Sequence, residues 1–234
     1  MGGSVEDVQR DLSALMAREV ALEFEPQGPL ADRPLRRSSV LILFGALDRV
    51  PARRASEAPL EAPVPPELDL LLTRRADGMR HHPGQIAFPG GGAEPSDGGD
   101  PARTALREAW EETGLDPSGV EVLGSLPEVH IPVSNNLVTP VIGWWRLPSE
   151  VAADHSESVD VFRVPVAELL DPARRGTSVL ERGPLVHRGA AFRLDDRFGG
   201  HVVWGFTGIL LATLFDRLGW AVPWDREHTF AVQP

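Results

Sequence analysis

The sequence predicts an α/β domain preceded by a separate helix, and three observations carry that reading. Short runs of branched and apolar residues recur at 39–44, 68–73, 120–126 and 137–145, each of strand length and bounded by turn-forming residues. Two other segments are helical in character: 101–113, with well-placed start and stop residues, and 204–218, a nearly continuous apolar stretch. No internal repeat and no break in composition divides the chain after residue 36. The expected organisation is therefore a helix and linker over 1–36 and one domain over 37–234.

Composition narrows the function classes. The chain has 234 residues, enough for one domain with a substantial core. Its formal net charge of −11 opposes non-specific nucleic-acid binding, so no nucleic-acid partner is expected. The absence of cysteine removes disulfides, thiolate metal sites and thiol nucleophiles. The N-terminus lacks the basic start and apolar core of a signal peptide. The longest apolar run, 202–215, is too short for a typical membrane span and reads as a buried helix. The expectation is a cytoplasmic protein with no membrane partner.

In chain order, Ser4 can cap a helix with Asp7 at its third position, and Val5, Val8, Leu12, Leu15 and Met16 follow at helical spacing. This predicts an amphipathic helix over about 5–20, a cap on the domain or a contact in a homodimer. Residues 22–36 read as a linker. A strand at 39–44 leads into 48–66, rich in Pro, Ala, Arg and Glu, which reads as an exposed, mobile loop. Beyond the central stretch, 127–136 is a loop or an interrupted strand. Residues 157–164 read as a strand entering a short helix at 165–170. Two short strand pieces are expected within 180–194 around a Gly-Pro turn, then the helix 204–218 stopped by Gly219, then an irregular tail.

The chemistry concentrates between Leu71 and Leu115. Asp100 and Pro101 suit the N-cap and first position of a helix, and Gly114 its C-terminal stop. At 100° per residue, Glu108, Glu111 and Glu112 fall within an arc of about 100°, with Ala102, Leu106, Ala109, Trp110 and Thr113 opposite. The expectation is an apolar side on the sheet and an acidic side facing out. Three carboxylates in one turn repel one another, and a bound hard cation removes that penalty. A solvated acidic face is the plainer alternative, and spacing alone leaves the two even. The glycine turn Phe88–Gly92, after a short strand at 85–88, favours the cation, because glycines let backbone approach a metal or phosphate closely.

These residues resemble the signature of the Nudix hydrolases, G-x5-E-x7-R-E-U-x-E-E-x-G-U, where U is bulky and apolar. Its second half is matched by Arg107 through Leu115, with Ala109 at the first U position. Its first half departs. The acid six positions after Gly91 is Asp97, and nine residues rather than seven then precede Arg107; Glu94 and Asp100 are alternatives for the acidic partner. A second pattern, L-L-T-x-R-[SA]-x3-R-x3-G-x3-F-P-G-G, resembles the coenzyme A pyrophosphatase subgroup. It is matched throughout by Leu71, Leu72, Thr73, Arg75, Ala76, Arg80, Gly84, Phe88, Pro89, Gly90 and Gly91. Weaker similarity continues through Thr139–Val141, Glu157–Pro165 and Trp204-Gly205.

The resemblance implies a Nudix-type α/β/α sandwich with a mixed sheet. It implies hydrolysis of coenzyme A, a small nucleotide substrate, to 3′,5′-ADP and 4′-phosphopantetheine with Mg²⁺ or Mn²⁺. By carry-over Glu108 and Glu112 are the main metal ligands, Glu111 is a further one, and the Gly91 or Gly90 carbonyl is a candidate. Arg107 orients the carboxylates. Arg74, Arg75 and Arg80, with His81 and His82, put positive charge on the approach loop, and Arg80 is the foremost phosphate contact. Gly84 and Phe88 join the candidate substrate-binding set, although Phe88 fits the core at least as well. Glu108 and Glu157 are the candidates for activating water, ahead of His130 and Asp160. The rivals are the same chemistry on ADP-ribose or NADH, and a Nudix-fold binding module without catalysis.

Overall fold

The computed structural model describes residues 3–18, 34–46, 63–78, 83–132, 134–183 and 185–233. Helix α1 is Val5–Met16, closed by the expected capping box: the Ser4 hydroxyl accepts from the Asp7 amide at 3.2 Å and the Asp7 carboxylate from the Ser4 amide at 2.9 Å. It ends short of residue 20. The linker reading falls mostly on residues 19–33, outside the described residues.

The first sheet contains β1 (Arg36–Ala46), β2 (Leu68–Arg75), β3 (Ile86–Ala87), β4 (Gly90–Gly92), β5 (Val120–Ser125), β6 (Val129–Ile131), β7 (Asn136–Trp145) and β8 (Ser158–Pro165). Its order is β3-β2-β1-β7-β5, with β4 on β1, β6 on β7 and β8 on β2. β1 and β7 run parallel from Arg36 opposite Asn136 to Gly45 opposite Trp145, and the other pairings are antiparallel. Helix α2 (Pro101–Thr113) lies between β4 and β5 in sequence, and α3 (Val166–Leu169) follows β8.

The central strands are apolar on both faces because both faces are covered. Leu41 and Leu43 of β1, Leu71 of β2, and Val141 and Trp145 of β7 meet Ala105 and Ala109 of α2. The alternate residues Ile42, Phe44, Leu70, Leu72, Ile142 and Trp144 share a core with Val8, Leu12 and Leu15 of α1. That core also takes Leu210, Leu211, Leu214 and Phe215 of α4 (Gly205–Arg217). The result is an α/β/α sandwich, α2 on one face and α1 with α4 on the other. The apolar stripe of α1 is buried within its own chain, so α1 caps the domain and does not offer that stripe to a second copy.

A second sheet, in the order β11-β10-β9-β12, is made of β9 (Arg175–Arg182), β10 (Leu185–Arg193), β11 (Val202–Val203) and β12 (Thr229–Ala231). Three expectations change here. The strand pieces of 180–194 belong to a longer hairpin that begins at Arg175. The tail is not irregular throughout, since Thr229–Ala231 pairs parallel to β9 with Phe230 buried. The glycine turn is a strand: Gly92, Gly91 and Gly90 pair with Ser38, Ser39 and Val40. The loop reading of 48–66 lies mostly outside the described residues. Among the described residues no helix is long and apolar enough to cross a membrane.

Candidate active site

The site is built where α2 crosses β4. Asp100 accepts from the Ala102 amide at 2.9 Å, Pro101 occupies the first turn, and Gly114 ends the helix at φ 69°. Because β4 is all glycine, α2 sits almost on the strand backbone. A Cβ at Gly91 would lie 2.4 Å from a Glu108 carboxylate oxygen, and one at Gly90 2.3 Å from the Ser39 carbonyl. At Gly90 the obstacle is backbone, so no side chain fits there, whereas at Gly91 a Cβ would have to push the Glu108 carboxylate aside.

This contact corrects the helical-wheel expectation. The sheet-facing stripe centres on the small residues Ala105 and Ala109, which let the helix approach closely, so Trp110 is turned outward and is 56% exposed. The acidic arc does not simply face solvent. Glu112 is only 4% exposed and accepts from the Gly90 amide at 3.2 Å, Glu108 is partly buried, and Glu111 alone of the three is exposed.

Arg107 knots the cluster. Its guanidinium donates to both oxygens of Asp97 at 3.0 Å, to Glu108 at 2.9 Å, to Glu111 at 3.1 Å and to the Gly92 carbonyl at 2.8 Å. Asp97 is buried and also accepts from the Glu94 amide at 2.8 Å and the Thr104 hydroxyl at 2.9 Å. Among the alternatives left by the lengthened loop, Asp97 is the carboxylate that reaches Arg107. Glu94 caps the short 3₁₀ turn Pro95–Asp97, and Asp100 caps α2. Neither the role of Thr104 nor that of the Gly92 carbonyl is visible in sequence spacing.

The electrostatics are uneven. Hydrogen bonds from Arg107 hold Asp97 well below the usual carboxylate range, against the opposing effect of burial. Burial pushes Glu112 up to about 8; the Gly90 amide and the charge of Arg75 oppose this, while Glu108 and Glu157 add to it. Burial also raises Glu108, opposed by Arg107 and reinforced by Glu111 and Glu157. Burial thus disfavours the ionised forms of Glu108 and Glu112, and a cation beside them would restore the charge. Among the described residues no three carboxylate or imidazole side chains are already gathered into a metal cage. Arg107 draws Glu108 and Glu111 onto itself instead. The donor set, all oxygen and anionic, with glycine backbone alongside, nonetheless fits a hard divalent cation.

The other candidate residues divide. Arg74 is engaged by Asp160 at 2.6 Å and Asp77 at 3.2 Å. Arg75 sends its charge toward Glu112, and its Nε is buried without a hydrogen-bond partner among the described residues. Asp160 is therefore occupied, and His130 pairs with Asn135 at 2.8 Å. Gly84 closes the base of the loop after β2 at φ 67°, its amide on the Arg75 carbonyl at 3.2 Å. Phe88 is 3% exposed in the α1–α4 core; its ring packs there and does not wall the site. Arg80, His81 and His82 lie outside the described residues. Glu157 is exposed at the start of β8, close enough for its charge to act on Glu108 and Glu112. A cavity of about 510 Å³ opens at the C-terminal end of α2, lined by Thr113, Gly114, Arg163 and residues 149–152, and does not include these carboxylates.

The family model of the NUDIX domain matches residues 64–181 of this chain. The uncharacterized Nudix hydrolase NudL of Yersinia enterocolitica is 37% identical over 151 residues, 64% of this chain and 73% of that protein. NudL of Yersinia pestis is 37% identical over 149 residues, 64% and 72% of the two chains. Among solved structures, a NUDIX hydrolase from Nitrosomonas europaea aligns with a TM-score of 0.46 at 12% identity, covering 87% of this chain and 82% of that one. A Nudix hydrolase from M. smegmatis, RenU, aligns at 0.41 and 22%, covering 56% and 70%. The match of the domain model over half the chain and the identity to NudL over most of its length, joined to the Arg107-centred carboxylate helix, place this chain in the Nudix hydrolase family.

Proposed function

We propose that this hydrolase cleaves the diphosphate of coenzyme A or its acyl derivatives, releasing 3′,5′-ADP and 4′-phosphopantetheine or its acyl form, with Mg²⁺ or Mn²⁺. One observation carries the reading. The coenzyme A-type motif and the carboxylate helix meet in space, Arg75 acting on Glu112 while Gly90 and Gly91 lie under Glu112 and Glu108. In this reading Glu108, Glu111 and Glu112 hold the cation with the Gly91 carbonyl, and Arg107 keeps the carboxylates aimed. A bound divalent cation supplies charge stabilisation on the diphosphate oxygens and lowers the pKa of water. Arg75 binds a diphosphate oxygen through its guanidinium, and Arg80 is a second phosphate contact. Glu157 takes the proton of the attacking water, with Glu108 as the alternative base; the water oxygen bonds to phosphorus as the bond from phosphorus to the leaving oxygen breaks.

The test is a substrate panel of coenzyme A, acyl-coenzyme A, ADP-ribose and NADH with Mg²⁺ or Mn²⁺, followed by product masses. Release of 3′,5′-ADP from the coenzyme A compounds is the expected result. Faster turnover of ADP-ribose or NADH would move the substrate elsewhere, and binding without turnover would leave a non-catalytic module.

A further inference from the structure

We propose that Asp154 is a positioning residue that holds Glu157 at the carboxylate end of α2. The inference rests on the reading of Glu157 as the water-activating base and extends it to the residue that places it. The segment between β7 and β8 crosses the C-terminal end of α2 and is fastened on both sides by backbone. On the helix side the Ala152 amide donates to the Thr113 carbonyl at 3.0 Å and the Asp154 amide to the Glu112 carbonyl at 3.2 Å. On the strand side the Ala76 amide, one residue beyond β2, donates to the Glu157 carbonyl at 2.8 Å.

Asp154 closes the span between these anchors. Its Oδ1 accepts from the Ser158 amide at 2.9 Å and the Glu157 amide at 3.2 Å, and its Oδ2 accepts from the Ser156 hydroxyl. His155, inside the turn, has φ 62° and donates its amide to the Ser158 carbonyl at 2.9 Å. A left-handed non-glycine residue is strained and persists where its surroundings over-determine it. One residue therefore links the backbone of Glu112 to the backbone of Glu157. Glu157 itself is exposed, with no side-chain partner among the described residues drawing it to the site, yet its charge reaches Glu108 and Glu112. The turn supplies that placement.

The test compares kcat, KM and thermal midpoint for coenzyme A turnover in Asp154→Ala, Asp154→Asn, Glu157→Gln and the Asp154→Ala/Glu157→Gln double variant. Removing the base lowers kcat by about 10²-fold or more in Glu157→Gln. Asp154→Ala lowers kcat by about 10-fold or more with KM nearly unchanged, and the double variant is no slower than Glu157→Gln, since both changes remove one function. Asp154→Asn, which keeps the Oδ1 acceptor for both amides, recovers most of kcat. Should Asp154→Ala not fold, Asp154→Glu, which moves the acceptor outward by a methylene, takes its place with the same expectation. A lowered thermal midpoint with unchanged kcat in Asp154→Ala, or losses that multiply in the double variant, would overturn the inference. So would full activity in Glu157→Gln. Wild-type protein inert toward every diphosphate would instead remove the functional reading beneath it, in an assay that precedes the variants.

Discussion

Where α2 crosses β4, one guanidinium, Arg107, serves Asp97, Glu108 and Glu111, while Glu112 is buried beside them. Where α3 meets the second sheet, Arg174 pairs with Asp195 and Arg197 with Glu168, cation to anion. Both clusters are largely buried and both are built on arginine–carboxylate contacts. They differ in balance. The second is neutral as built and ties the 193–198 segment to the residues after β8. The first sets Asp97, Glu108, Glu111 and Glu112 against Arg107, and burial, reinforced by the neighbouring carboxylates, pushes Glu108 and Glu112 upward. A buried cluster that is self-neutral holds parts of a fold together, whereas one left unbalanced is poised to receive a charge from outside.

The contrast is sharpest in Glu112→Gln. The amide keeps the shape and removes the charge, so turnover with Mg²⁺ falls by about 10²-fold or more while the thermal midpoint of the metal-free protein holds or rises. Near-normal turnover would remove Glu112 from the metal site. Next come the two arginines. Arg107→Ala and Arg197→Ala each remove the guanidinium that faces a buried carboxylate, Asp97 and Glu168 respectively, and each is expected to cost about 3–5 kcal/mol in denaturant unfolding. Only Arg107→Ala also lowers kcat per folded molecule; an equal loss in Arg197→Ala would erase the distinction.

Gly91→Ala has a smaller effect. The added Cβ must displace Glu108, costing about 1–3 kcal/mol and weakening metal-dependent activity, whereas Gly92→Ala, with open space around its Cβ, is expected to be mild. Smallest per step is the pH effect. Glu112 rises from 4.5 to about 8 on folding. Between those values the native state binds more protons than the unfolded one, so the metal-free protein loses stability as pH rises through this window. The slope is at most about 1.4 kcal/mol per pH unit. Glu112→Gln flattens it, and added Mg²⁺ opposes it. A metal-free protein whose denaturation midpoint does not move across that window would break the account of Glu112.

Much of the fold was legible because its signals are local. The bounds of α2 follow from Asp100, Pro101 and Gly114, and the cap of α1 from Ser4 and Asp7, since each acts within one turn of chain. The central strands were legible as apolar runs. The second sheet was less so: β12 is three residues long, and only its parallel partner β9 makes it a strand. In the site, the residue types and the spacing of Glu108, Glu111 and Glu112 were readable. Their orientation was not, because the wheel does not show which stripe the sheet will take. Ala105 and Ala109 took it, Trp110 went outward and Glu112 inward.

By itself the sequence determined the family pattern, the carboxylate helix, the glycine run and the cationic stretch upstream, all of which depend on neighbours a few residues away. Tertiary structure alone decided that the glycine run is a strand beneath Glu108 and Glu112, that Asp97 across a lengthened loop still reaches Arg107, and that Arg74 and Arg75 part company. Those outcomes depend on how closely a helix can approach a strand without side chains, and on the burial that follows. Distances along the chain do not contain that information.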